Sequence, residues 1–249
     1  GAQRYCSTTK YDFTQTSYEI QLFDQSADGW RNATLYFPLY QGVKDVRVGL
    51  DYRARVKPPP AFALKAPVVI YGSSITQGGC ASRPGMAFSS IIGRDLNVEF
   101  INLGFSGSGK GEPEVARAVA GVPRAALFVL DYEANCVDTA TFRRTLPEFI
   151  RILRAKHPKT PILIVSRIAF AYDIHDLNWR KWGRERRALQ QQAVADARRR
   201  GDRNIFFFDG SRLLGRDFEE CTVDGVHPTD LGFYRMGKGL VPVIRKLLF

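Results

Sequence analysis

Three residue types that together can cleave an ester are spread along this chain. Ser74 follows the apolar run Pro67-Val68-Val69-Ile70, inside Tyr71-Gly72-Ser73-Ser74-Ile75-Thr76-Gln77-Gly78-Gly79. Asp224 and His227 stand three residues apart in Asp224-Gly225-Val226-His227-Pro228, a spacing that can bring a carboxylate and an imidazole to one point. A serine hydroxyl is a poor nucleophile at neutral pH; it needs a base to take its proton, and the base needs an orienting acid. The chain offers all three, in the order Ser, Asp, His. Each also has a plainer reading taken alone: Ser74 as a turn serine, Asp224-Gly225 as an ordinary turn, His227 as a helix-entry residue before Pro228.

Elements must hold these groups in place. From Ala66 the chain alternates apolar runs with amphipathic stretches. The runs at 67–71, 98–102, 125–131, 161–166 and 204–208 read as strands. The stretches near 84–95, 112–120, 139–156, 178–200 and 229–248 read as helices. Continuous apolar strands alternating with helices predict an α/β fold, a five-stranded parallel sheet covered on both faces. In such sheets ligands bind beyond the carboxyl ends of the strands. Ser74 falls there after the first strand, Gly107 after the second and Asn135 after the third.

Residues 1–60 have a different texture. Partly alternating stretches at 17–23, 33–39 and 43–50, separated by Asp28-Gly29 and Gln41-Gly42, read as a small antiparallel β unit. Pro58-Pro59-Pro60 reads as a linker, so the expected division is 1–60 and 61–249.

Composition narrows the function classes. With 45% hydrophobic and 24% charged residues, this is a chain that folds into a globular core. No apolar run approaches the roughly 20 residues that cross a bilayer. The start at Gly1 shows no signal-peptide pattern and reads as a trimmed or mature N-terminus. The net charge of +11 is compatible with nucleic acid or anionic glycans. Its densest part, Arg180 to Arg203, carries Ala, Leu and Gln and reads as a solvated helix face. Without zinc-finger spacing or an RNP-type motif, no nucleic-acid partner is expected. Four cysteines without a CxxC pair, and three histidines, form no metal-ligand pattern, so no metal is expected.

Four blocks together resemble the SGNH (GDSL) hydrolases. Gly72-Ser73-Ser74-Ile75 resembles the nucleophile block. Asn102-Leu103-Gly104-Phe105-Ser106-Gly107 resembles the block whose glycine amide helps to bind an oxyanion. Leu130-Asp131-Tyr132-Glu133-Ala134-Asn135 matches the position of the block that supplies an asparagine amide, and Asp224-Gly225-Val226-His227-Pro228 matches the DxxHP block. The resemblance covers residues 66–249 and implies a flavodoxin-like three-layer domain. Ser73 replaces the usual aspartate, and the third block lacks the common GxND form. The first departure suits a subgroup with GTSITQGG-like motifs, whose esterases carry an N-terminal β-sandwich and deacetylate plant-type polysaccharides. Residues 17–50 look similar to the end of such a sandwich.

The resemblance implies a serine esterase acting on O-acyl esters, O-acetyl in particular, on a carbohydrate. Ser74 is the nucleophile, His227 the base and Asp224 its orienting acid. The Ser74 and Gly107 amides and the Asn135 side chain form the oxyanion hole, each donor worth roughly 3 kcal/mol. Neither metal nor organic cofactor is required. The expected partner is a small acyl ester or an acylated carbohydrate, and the expected location is secreted or periplasmic. Acyl transfer to a sugar hydroxyl would use the same triad. A non-catalytic carbohydrate-binding protein would need a broken constellation, whereas all three residues are present.

Other positions keep two readings. Arg83 contacts substrate or lies at the surface. Arg167, after the fourth strand, faces the site or serves in structural pairing. Trp179 and Trp182 form a sugar-stacking lip or pack a core. Asp131 caps a loop at a strand end. Cys80 and Cys136 either bond to each other or remain two buried thiols.

Overall fold

The computed structural model describes residues 3–22 and 29–249. The chain divides into two compact units, Gly1–Ala61 and Phe62–Phe249.

In the second unit five strands, β1 (Val68–Gly72), β2 (Phe100–Gly104), β3 (Leu127–Asp131), β4 (Ile162–Val165) and β5 (Ile205–Phe208), form one sheet in the order β2-β1-β3-β4-β5. All four pairings are parallel. Strand periodicity explains the three layers, because successive side chains point to opposite faces. Val68, Ile70, Leu127, Val129, Leu163 and Val165 share one core with Phe88 and Ile92 of α2 (Phe88–Leu96) and with Phe233, Met236 and Leu240 of α7 (Asp230–Leu248). Val69, Tyr71, Phe128, Leu130, Ile162 and Ile164 share the other with α3 (Pro113–Ala120), α4 (Thr139–Lys156) and α6 (Leu177–Arg199). Each fully buried aliphatic or aromatic side chain in these layers contributes roughly 1.5–3 kcal/mol. The helices start where a short polar side chain can accept from their free amides: Asp138 caps α4, Asp176 caps α6 and Thr229 caps α7.

The strand order puts a crossover reversal at the carboxyl ends of β1 and β3, the usual ligand crevice of such sheets. Ser74 directly follows β1 as the first residue of the short helix α1 (Ser74–Gln77). A second short helix, α5 (Tyr172–His175), lies between β4 and α6 and has no counterpart among the sequence expectations.

The first unit departs from expectation. None of its described residues forms a strand, so the antiparallel pairing expected within 17–50 is not made there. Phe23 and Asp28 of those expectations lie outside the described residues. A strand needs both a ladder partner and a face to bury. Here Leu35, Phe37, Val46, Val48 and Leu50 are 43–66% exposed, so alternation has nothing to be sorted against. Local hydrogen bonds organise short turns instead, such as those from Gln15 to Asp12 and from Ala54 to Asp51.

Candidate active site

Ser73 caps α1 by accepting the Ile75 amide at 3.2 Å. Its hydroxyl fills the capping role that an aspartate at this position would also fill. Ser74 is 8% exposed. As the first helical residue, its amide has no partner within the helix. Asn102 secures this turn from β2, donating to the Thr76 carbonyl at 2.8 Å and to Ser89 Oγ at 2.9 Å.

His227 Nε2 lies 2.8 Å from Ser74 Oγ, and His227 Nδ1 lies 2.6 Å from Asp224 Oδ2. An ionised carboxylate only accepts, so Nδ1 carries the proton and Nε2 of the neutral ring is left to accept from the serine. Asp224 Oδ1 also accepts the amides of His227, at 2.7 Å, and Val226, at 3.0 Å. Burial works to raise the Asp224 pKa, but the His227 amide, the imidazole and the Val226 amide outweigh it, and the carboxyl sits below its usual range. The loop closes on itself through the Thr222–Pro228 bridge and the Val223 amide to the His227 carbonyl at 2.9 Å. The amide of Ser82 reaches Asp230 at 2.9 Å, joining the segment after α1 to the start of α7.

On the opposite side Asn135 ends the 3-10 turn Glu133–Asn135 after β3. Its Nδ2 donates to the Phe105 carbonyl at 2.9 Å, leaving the second amide hydrogen for another acceptor. Gly107 lies in the turn after β2 with φ +69°, a conformation that favours glycine. Its amide has no acceptor among the described residues. The turn is fixed beside α1 by the Phe105 amide to the Gly72 carbonyl, 3.0 Å, and the Ser106 amide to Gln77 Oε1, 2.8 Å.

Beneath these groups lie two buried carboxyls. Asp131 accepts from Thr76 Oγ1 at 2.9 Å. It is not the cap of an open loop: burial, with the neighbouring Glu133 adding to it and Thr76 opposing, pushes its pKa up to about 8. Glu133 is 1% exposed. Burial raises its pKa to about 7 against the pull of Arg167, Arg186 and Arg187.

The softer expectations fare differently. The Arg167 guanidinium makes the structural pairing: it pairs with Asp173 at 2.7 Å and Glu133 at 3.8 Å, and donates to the carbonyls of Ile168 and Trp179. A cation held this deep, 9% exposed, needs such partners. Trp179 packs against aromatic neighbours, with ring centroids 5.8 Å from Phe170 and 5.5 Å from Tyr172. Arg83 is half-buried at the start of the 3-10 turn Pro84–Met86. Cys80 and Cys136 are free thiols, the first exposed and the second buried. No group of His, Cys, Asp and Glu among the described residues could hold a metal ion, and no described helix is long and apolar enough to cross a membrane.

Tyr172 escaped the sequence reading. A Cβ placed on Gly225 would lie 3.1 Å from its ring, and the Ala171 amide donates to the Gly225 carbonyl at 2.8 Å. An exposed aromatic therefore rests on the Asp224–His227 loop. The aromatic Phe170-Ala171-Tyr172 after β4 was the available signal.

Comparison with curated protein sequences finds no match. The profile of the GDSL-like lipase/acylhydrolase family matches residues 65–245. A solved structure described as a GDSL-like lipase from Bacteroides ovatus is 38% identical, with a TM-score of 0.71, over 78% of this chain and 56% of that one. The salicylyl-acyltransferase of a tetracycline biosynthetic pathway is 23% identical (TM-score 0.66), over 76% of this chain and 56% of that one. A family two carbohydrate esterase from Clostridium thermocellum, in complex with cellohexaose, is 17% identical (TM-score 0.57), over 78% of this chain and 67% of that one. The latter two likenesses are of fold. The chain thus spans little more than half the length of the first two structures.

Proposed function

Since the chain belongs to the GDSL-like lipase/acylhydrolase family, a family of hydrolases, we propose that it is a serine esterase that removes O-acyl groups, O-acetyl in particular, from a carbohydrate. The observation that carries this reading is the line of hydrogen bonds from Ser74 Oγ through His227 to Asp224.

His227 Nε2 takes the Ser74 proton as Oγ attacks the ester carbonyl. Asp224 holds the imidazole in the required tautomer and stabilises its charged form. The Ser74 and Gly107 amides and the spare Asn135 Nδ2 hydrogen receive the oxyanion. The C–O bond to the alcohol breaks, and the alcohol leaves with the proton from Nε2. Water, deprotonated by His227, then attacks the acyl-enzyme, releasing the carboxylic acid and restoring Ser74. The carbohydrate part of the reading draws on the GTSITQGG-like block, on the carbohydrate esterase among the structural relatives, and on Tyr172 and Trp182, 45% and 44% exposed, whose rings can stack on a sugar face. A polysaccharide substrate would place the protein outside the cytoplasm.

The test is p-nitrophenyl acetate hydrolysis by wild type and Ser74→Ala with matched folding checks. The variant is expected to lose at least four orders of magnitude in kcat. Equal activity in both would remove Ser74 as the nucleophile. Acetylated oligosaccharides, with and without a sugar acceptor, then separate hydrolysis from acyl transfer.

A further inference from the structure

Asn135 is held from beneath by a helix about fifty residues further along the chain. Arg186 lies on the inner face of α6 and is 7% exposed. Its Nη1 donates to the Glu133 carbonyl and its Nη2 to the Cys136 carbonyl, each at 2.9 Å. Those two carbonyls bracket Ala134 and Asn135. A guanidinium is planar and its donors keep a fixed relation, so two such bonds set the orientation of the turn as well as its distance. Above the turn, the Phe105 carbonyl fixes the Asn135 amide. Between them these contacts leave the side chain little freedom.

Packing alone is a poor account of Arg186. Taking a guanidinium out of water costs several kcal/mol, while Val194 and Ala197 on the same stripe of α6 fill the interface with apolar groups. Glu133, in the same turn, compensates only in part: burial raises its pKa to about 7 even against the pull of Arg186, and Arg186 Nε is buried without a hydrogen-bond partner.

We propose that Arg186 is a positioning residue for the oxyanion donor Asn135, acting through the backbone of the Glu133–Asn135 turn. This rests on the esterase reading above. Arg186 touches no reacting atom, so its whole effect on turnover passes through Asn135.

A double-mutant cycle tests this on the full chain, with p-nitrophenyl acetate as substrate and unfolding midpoints measured in parallel. Arg186→Lys keeps the charge but has one nitrogen and cannot bridge both carbonyls. It is expected to lower kcat by about 10- to 100-fold, the scale of a misplaced catalytic group, with KM nearly unchanged. Asn135→Ala is expected to lower kcat by about 10²- to 10³-fold. The double variant should match Asn135→Ala to within about threefold, because the lysine has nothing left to misplace. Multiplied effects in the double variant, or an unchanged kcat in Arg186→Lys, overturn the proposal. If Arg186→Lys does not fold, Arg186→Gln takes its place; if neither folds, Arg186 belongs to the folding core and the proposal fails. A wild type inert toward esters, or as active with Ser74→Ala, sinks the esterase reading itself and this inference with it.

Discussion

The two sides of the candidate site are built in opposite ways. Asp224 and His227 share one half-exposed loop, three residues apart; their mutual geometry comes from bonds within residues 222–228, and the Ala171 amide and the Tyr172 ring at Gly225 add a neighbouring seat. Asn135 sits on a turn whose support comes from far away in sequence: Arg186 from α6, Arg167 from the end of β4, and Phe105 from the turn after β2. Local support leaves the core untouched when it is altered. Distant support is part of the core, so chemistry and stability are coupled there.

Three changes press on that contrast. On the local side Asp224→Asn should cost about 10⁴-fold in kcat, because the imidazole loses its orienting charge and tautomer. Its unfolding midpoint should hardly move; a large loss of stability would mean that the loop is not self-supporting. On the distant side Arg167→Met should cost about 3–5 kcal/mol by leaving Asp173 without its buried cation and Glu133 with only Arg186 and Arg187 beside it. Urea unfolding measures this, and a cost below about 1 kcal/mol would show the network to be ornamental. The third change concerns Asp131 and is read as a slope with pH. With a folded pKa of about 8 and an unfolded value near 3.9, the folded protein holds a proton that the unfolded chain has lost. Stability is therefore full below about pH 4 and declines as pH rises toward 8. Asp131→Asn cannot ionise and keeps an oxygen for Thr76, so its urea midpoint should fall less between pH 5 and 9. Glu133, raised to about 7, leaves part of the slope in place. Equal slopes in both proteins would assign the pH dependence elsewhere.

The same contrast governs what the sequence discloses. The five strands and five longer helices stand within a few residues of where apolar periodicity puts them, because each buries a face whose pattern is local. The Asp224–His227 spacing is equally local. An arginine in a run of arginines carries no mark of burial, so the sequence places Arg186 on a solvated basic face. Its phase was the missed clue: 186, 190, 194 and 197 form one buried stripe of α6. Arg167 looked open to a ligand because its partners, Asp173 and Glu133, come from two other segments. In the first unit the sequence alternates but no partner strand stands among the described residues, and alternation alone does not make a sheet.

The two distances of the relay have separate origins. His227–Asp224 is internal to a loop closed end to end by the Thr222–Pro228 bridge, whereas Ser74–His227 spans from α1 to that loop and depends on how the loop is seated. Tyr172 against Gly225 and the Ala171 amide on the Gly225 carbonyl are part of that seat, so residues that touch no reacting atom share in setting the gap a proton must cross.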